Sequence, residues 1–214
     1  MSVYIPPRAV VPKPNSDDPL DYYYRPVTGT IYRNRLRYAV ELLGKRMYDA
    51  LLEVGTGSGI LLPELSRHTR RLVAIDIHDK LDDVREFLQK ENVDAEVVHG
   101  SLFEMPFGKR EFDALFCASV LEHLTELDSA LKEFARVVRP GGTLVLGFPV
   151  RNVVTDAFFR LAHFSPRDIH PSSHRDIEAA VRRCPDLEFV TRRALPGLLP
   201  LDLSLYDVVQ CRRR

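Results

Sequence analysis

The chain has little cysteine, no surplus of either charge and no long apolar run, and each absence removes a class of protein. Its three cysteines, Cys117, Cys184 and Cys211, are widely spaced and form no CxxC pair. Neither a disulfide framework nor a thiolate zinc site is therefore predicted, and a reducing cytoplasm is the expected compartment. Thirty basic residues balance 30 acidic ones, so the overall positive field of a dedicated nucleic-acid binder is missing and no nucleic-acid partner is expected. The arginines crowded towards the end, as in Arg182-Arg183, Arg192-Arg193 and Arg212 to Arg214, read as a solvated face. No stretch approaches about 18 uninterrupted apolar residues. The first 20 residues carry five prolines where a signal peptide would carry an apolar core. Neither membrane spanning nor secretion is predicted.

What is present is the composition of a globular chain: 214 residues, 45% apolar and 28% charged, enough for one domain with a short appendage. Residues 1–27 form a proline-rich arm that cannot be helical and reads as a lid, with little order expected before about Asp17 and a deletion expected to spare stability. Residues 28–214 read as a single domain. An amphipathic helix is predicted from Thr28 to Arg46. After it, short apolar runs (Ala50 to Val54, Leu72 to Ile75, Glu96 to Val98, Ala114 to Ala118, Thr143 to Phe148) alternate with helical periodicity over Ile60 to His68, Lys80 to Lys90 and Glu126 to Val138. That alternation predicts an α/β fold, a doubly wound and mostly parallel sheet with helices on both faces. Arg139-Pro140-Gly141-Gly142 should end the last of these helices. A further helix near Ser173 to Arg183 and two consecutive strands, Leu187 to Arg192 and Leu205 to Cys211, suggest an antiparallel hairpin at the sheet edge.

The strongest local signal is LLEVGTGSGIL, residues 51–61, where an apolar strand runs into three alternating glycines. Gly55 permits a tight turn, Gly57 a close approach of ligand to backbone, and Gly59 close packing of the next helix on the strand. Asp76, at the end of the next apolar run, can accept hydrogen bonds from ribose hydroxyls. Loop and acid together suit a nicotinamide dinucleotide or S-adenosylmethionine. The GxGxG spacing directly after Glu53 favours the second, because a carboxylate is badly sited beside a pyrophosphate but suits a sulfonium and an ammonium.

Four ordered blocks, LEVGTGSG (52–59), LVAIDIH (72–78), FDALFCASVLEHL (112–124) and LKEFARVVRPGGTLVL (131–146), resemble the class I S-adenosylmethionine-dependent methyltransferases, in particular their broad small-molecule group. The resemblance implies a seven-stranded sheet with cofactor over the carboxyl ends of strands 1 to 4. It implies Glu53, Gly55, Thr56, Gly57 and Gly59 around the methionine portion, Asp76 on the ribose, and Ile77 against adenine. Ser101 and Leu102 would flank the adenine edge, and the Ala118 carbonyl would lie near the methionine ammonium. Ser101 replaces a frequent Asp, which weakens one hydrogen bond to the adenine amine.

Methyl transfer from a sulfonium is an in-line displacement in which alignment supplies about 7–11 kcal/mol and a general base about 10²–10⁴-fold. The expected acceptor is an oxygen or nitrogen nucleophile of a small or medium-sized molecule. Catalytic candidates are His123, Tyr24 in the run Asp21 to Tyr24, and His163 in the insert from Val150 to His174, which reads as a substrate lid, as inert surface or as a metal site. The Glu122-His123 pair could be packing, could hold a divalent metal as in related enzymes, or could supply His123 as base. Ser119 stands where those metal enzymes carry a third ligand, and no metal is expected. Cys117 reads as core. A non-catalytic cofactor- or partner-binding protein and a dehydrogenase are the rival readings.

Overall fold

The computed structural model describes residues 3–14, 18–152, 171–198 and 200–214. Helix α1 (Pro26–Leu43) begins on a proline, whose missing N–H costs nothing in a first turn, and ends at Gly44 with φ +88°. Strand β1 (Tyr48–Val54) is buried at every position except Asp49, as a central parallel strand covered on both faces must be. There follow α2 (Leu62–Leu65), β2 (Thr69–Asp76), α3 (Leu81–Lys90), β3 (Glu96–His99), β4 (Phe112–Ala118), α4 (Leu127–Val137) and β5 (Val138–Pro149). The chain closes with α5 (His174–Arg183), β6 (Leu187–Leu195) and β7 (Tyr206–Arg213). A capping box between Ser173 and Asp176 starts α5.

The seven strands form one sheet in the order β3-β2-β1-β4-β5-β7-β6. Strands β1 to β5 run parallel, and β7 is antiparallel to both β5 and β6. One core joins α1, α2 and α3 to one face, through Leu36, Val40, Leu62, Leu65, Val84 and Phe87. A second joins α4 and α5 to the other, through Leu131, Phe134, Ile177 and Val181. Fold class and topology are those expected.

Two local expectations are corrected. The helix expected over residues 60–68 is α-helical only over Leu62–Leu65, followed by a 3₁₀ turn at Ser66–His68, because β2 begins at Thr69 and leaves no room for further turns. The helix before Arg139 ends at Val137, as expected, and Arg139 to Gly142 lie at once inside β5, with Gly141 at φ +78° beside a register shift opposite Phe112 and Ala114.

The arm is the second. Little order was expected before Asp17, yet Val11 is buried and joins the first core together with Leu20 and Tyr23 of the 3₁₀ turn Pro19–Tyr23. Tyr4 N–H donates to Glu64 and its hydroxyl to Glu91, at 2.9 and 2.8 Å. Arg8 and Lys13 both hold Asp21. Proline excludes helix but not packing: an extended segment can still bury alternate apolar side chains and be pinned by side-chain hydrogen bonds.

Among the described residues no helix is long and apolar enough to cross a membrane.

Candidate functional site

Parallel strands end together, so the loops after β1, β2 and β4 meet at one edge of the sheet, where ligands of open α/β folds bind. Beyond Val54 the backbone turns through Gly55, Gly57 and Gly59, all at positive φ. Gly55 N–H is tied to the Ile75 carbonyl of β2 at 2.9 Å. Asp76 closes the loop: one carboxylate oxygen accepts from Gly57 N–H at 2.8 Å, the other from Ile77 N–H at 2.7 Å and His78 N–H at 3.3 Å. The His78 ring bonds the Gly57 carbonyl at 2.9 Å from the far side. Asp76 therefore orders the glycine turn.

Under the turn lies Glu53, buried, accepting from the Thr56 hydroxyl at 2.7 Å. Burial pushes its carboxyl up to about 8, with Asp76 adding like-charge repulsion that the Thr56 bond only partly offsets. Above the turn lies Asp18, from the arm. A Cβ on Gly57 would stand 3.2 Å from the Asp18 carboxylate, which also accepts from the Leu20 and Ser58 amides.

Around this centre Ile77 is 68% exposed at the tip of β2, free to offer an apolar face. Ser101 lies just beyond β3, where its hydroxyl accepts from Phe103 N–H at 3.2 Å. Leu102 leans on the second core. Ala118 ends β4, and Ser119 follows at φ +59° with its N–H on the Gly147 carbonyl. All ten residues proposed from the sequence for the cofactor thus sit at or just beyond the carboxyl ends of β1 to β4.

The catalytic candidates separate. Glu122 and His123 differ in burial but stay within reach of each other: Glu122 is buried with one carboxylate oxygen unpartnered, and the exposed His123 places its Nε2 4.0 Å from the other. Burial pushes Glu122 up to about 8, against the nearby Arg35 charge. Tyr24 turns its hydroxyl to the Pro6 carbonyl of the arm at 2.7 Å, and burial raises it to about 12. Tyr23 faces inward instead and accepts from Arg35 at 2.7 Å. His163 and most of the Val150 to His174 insert lie outside the described residues; His174 is buried at the start of α5. Among the described residues no group of three or more His, Cys, Asp or Glu could hold a metal ion.

Two residues that the sequence reading passed over belong here. Arg35 reaches from α1 across the rings of Tyr32 and Tyr206, at 4.1 and 5.4 Å from their centroids. Tyr206 opens β7, and its hydroxyl meets the Ser119 hydroxyl at 3.0 Å. Tyr32 and Arg35 lie three apart, on one face of a helix whose neighbours are apolar. That spacing was the available signal for Arg35; nothing local marks Tyr206.

Residues 52–146 match the family described as "Methyltransferase domain". The chain is similar to the ubiquinone/menaquinone biosynthesis C-methyltransferase UbiE of Pseudomonas aeruginosa, 30% identical over 177 residues, which cover 76% of this chain and 69% of that protein. The UbiE of Pseudomonas putida is 31% identical over 126 residues, 56% of this chain and 49% of the relative, so that alignment spans about half the relative's length. Among solved structures the fold matches the N-methyltransferase NodS of Bradyrhizobium japonicum in complex with S-adenosyl-L-homocysteine, with a TM-score of 0.66, 20% identity and 94% of each chain covered.

Proposed function

Because the chain belongs to the class I S-adenosylmethionine-dependent methyltransferases and takes S-adenosylmethionine as its cofactor, we propose that it methylates a nucleophilic oxygen, nitrogen or carbon of a small molecule. Carbon joins the two atoms expected from the sequence because the UbiE relatives are named as C-methyltransferases. The observation that carries the reading is the juxtaposition of the glycine turn, closed by Asp76 on Gly57, with the Ser119 to Glu122 loop, whose Val120 side chain lies directly against Gly55.

The bound cofactor supplies an electrophilic methyl on a sulfonium. Gly57, which carries no side chain, would let the cofactor come close to the backbone of the turn beside Asp18. Asp76 is oriented to accept from ribose hydroxyls, and Glu53 to meet positive charge from below. Ile77, Ser101 and Leu102 border the adenine side, and the Ala118 carbonyl the methionine side. Glu122 is the desolvated member of the pair: with its carboxyl raised to about 8 it is protonated at pH 7 and becomes a base as pH rises towards 8. Tyr24, engaged with the arm, supports the lid instead of touching the acceptor. His163 keeps its role as a candidate.

Incubation with methyl-tritiated S-adenosylmethionine and a panel of phenols, quinols, carboxylates and amines is the test. The expected result is label in one acceptor with equimolar S-adenosylhomocysteine. Tight cofactor binding with no transfer across the panel would favour the non-catalytic reading, and stabilisation by a nicotinamide dinucleotide alone would favour the dehydrogenase.

Glu53 adds a pH signature. The residues facing it are Thr56, Asp76 and, from β4, the neutral Cys117 thiol. With its carboxyl at about 8 it is protonated at pH 7, and a cationic ligand must draw it to the charged form. Binding then releases a proton, so the Kd for S-adenosylmethionine falls as pH rises from 6 to about 8, by up to about tenfold per unit, and levels off above. Calorimetry in buffers of different ionisation heat measures the proton directly, and Glu53→Gln should abolish it. A Kd flat from pH 6 to 8 would contradict this role.

A further inference from the structure

Helix α1 does not lie over the strands that carry the glycine turn. It packs across β5, β7 and β6, on the far half of the sheet edge. From there Arg35 extends towards the carboxyl ends of β4 and β5, where Tyr206 of the antiparallel β7 returns to meet Ser119. The guanidinium lies among three tyrosine rings, Tyr23, Tyr32 and Tyr206. One of its nitrogens donates to the Tyr23 hydroxyl, while its buried Nε has no hydrogen-bond partner. Among the described residues no carboxylate is within ion-pair distance of it; Asp18 and Glu122 act on it only from further away.

A guanidinium is always charged and carries five donors. Leaving one half-buried without a counter-charge is among the more destabilising arrangements in a protein, and such groups persist where a ligand completes them. Glu122, with its own buried unpartnered oxygen, borders the same space. An acceptor bound there would therefore meet a cation framed by flat aromatic faces and a single carboxyl group.

Resting on the methyltransferase reading, we infer that Arg35, with Tyr206 and Ser119 beside it and Glu122 opposite, forms an acceptor subsite selecting a flat molecule that bears an anionic oxygen. A carboxylate and a ring oxyanion present the same chemistry to the guanidinium: planar charge, in-plane hydrogen-bond acceptance and a face to lay on tyrosine. Glu122 accepts from or donates to the remaining polar group. Neutral analogues of the same shape leave Arg35 unpaired and are rejected for that reason.

Calorimetry on the full chain saturated with S-adenosylhomocysteine tests this with benzoate and 4-nitrophenolate as anionic probes and benzamide and 4-nitroanisole as their uncharged counterparts. The expected result is at least about tenfold tighter binding of one anion than of its counterpart, and which anion it is separates carboxylate from ring oxyanion. Arg35→Met should bring that ratio to within about twofold while S-adenosylhomocysteine affinity stays unchanged, and Arg35→Lys should retain part of it. Equal binding, or none, of anion and counterpart by the wild type overturns the proposal, and needs no variant to fold. So does an Arg35→Met protein that keeps the ratio, or one that loses S-adenosylhomocysteine instead, since the guanidinium would then serve the cofactor's carboxylate. A wild type that binds no S-adenosylhomocysteine at all would instead strike the methyltransferase reading.

Discussion

Gly57→Val is expected to weaken S-adenosylmethionine binding by at least about 100-fold, roughly 2.7 kcal/mol, in a protein that still folds. Gly57 has φ +52°, a region in which a β-branched residue carries about 1–3 kcal/mol of strain. Its Cβ would point into the space over the turn, 3.2 Å from the Asp18 carboxylate, where the cofactor's methionine portion is proposed to lie. The neighbouring glycine at 59 is of a different kind. A Cβ there would stand 2.8 Å from Val84 and 3.3 Å from Leu62, so its replacement attacks the packing of α2 and α3 on the sheet and should unfold before it unbinds. Calorimetry with S-adenosylhomocysteine and a urea melt, run on both variants, separate the two. A Gly57→Val protein that binds within twofold of wild type would remove the turn from the cofactor site.

The second large effect concerns the arm. Leu20→Ala should cost about 2–5 kcal/mol of stability, the range for truncating a fully buried leucine, because Leu20 is 0% exposed within the core that α1, α2 and α3 share. A loosely attached arm would give a change within about 0.5 kcal/mol, as surface substitutions do. Equilibrium urea denaturation at constant m-value decides between them. Truncation at residue 27, which the sequence alone suggests would spare stability, removes Val11, Leu20 and Tyr23 together and should lower it further.

The parts of the molecule that sequence made legible are those in which a short segment carries its own physics. Strand, glycine turn and acid within residues 51–76 declare both a parallel sheet and a ligand, because Gly57 and Asp76 have to be what they are for the turn to close. The antiparallel end was legible from two consecutive strands without a helix between them. What escaped was set by contacts distant in sequence. The arm's fate depended on a groove built by α1 and α2, which no count of prolines reports. Glu122 and His123 are adjacent in sequence and within 4.0 Å of each other, yet one is buried and the other exposed, after Ser119 turns the chain at positive φ. Arg35 read as one more helical arginine until Tyr206, far along the chain, supplied its ring.

That last contact divides the site by how far the chain must travel to build it. The groups that close the glycine turn, from Glu53 to His78, belong to one continuous stretch. The acceptor side needs a helix residue, a strand end and Tyr206 brought together, with Ser119 and Tyr206 alone 87 positions apart. Closing so long a loop costs conformational entropy that local turns do not incur, and regions dependent on such closures open first when stability falls. Cofactor capture and acceptor recognition therefore differ in ruggedness: on warming, or in dilute denaturant, the protein should stop discriminating among acceptors while it still holds its cofactor.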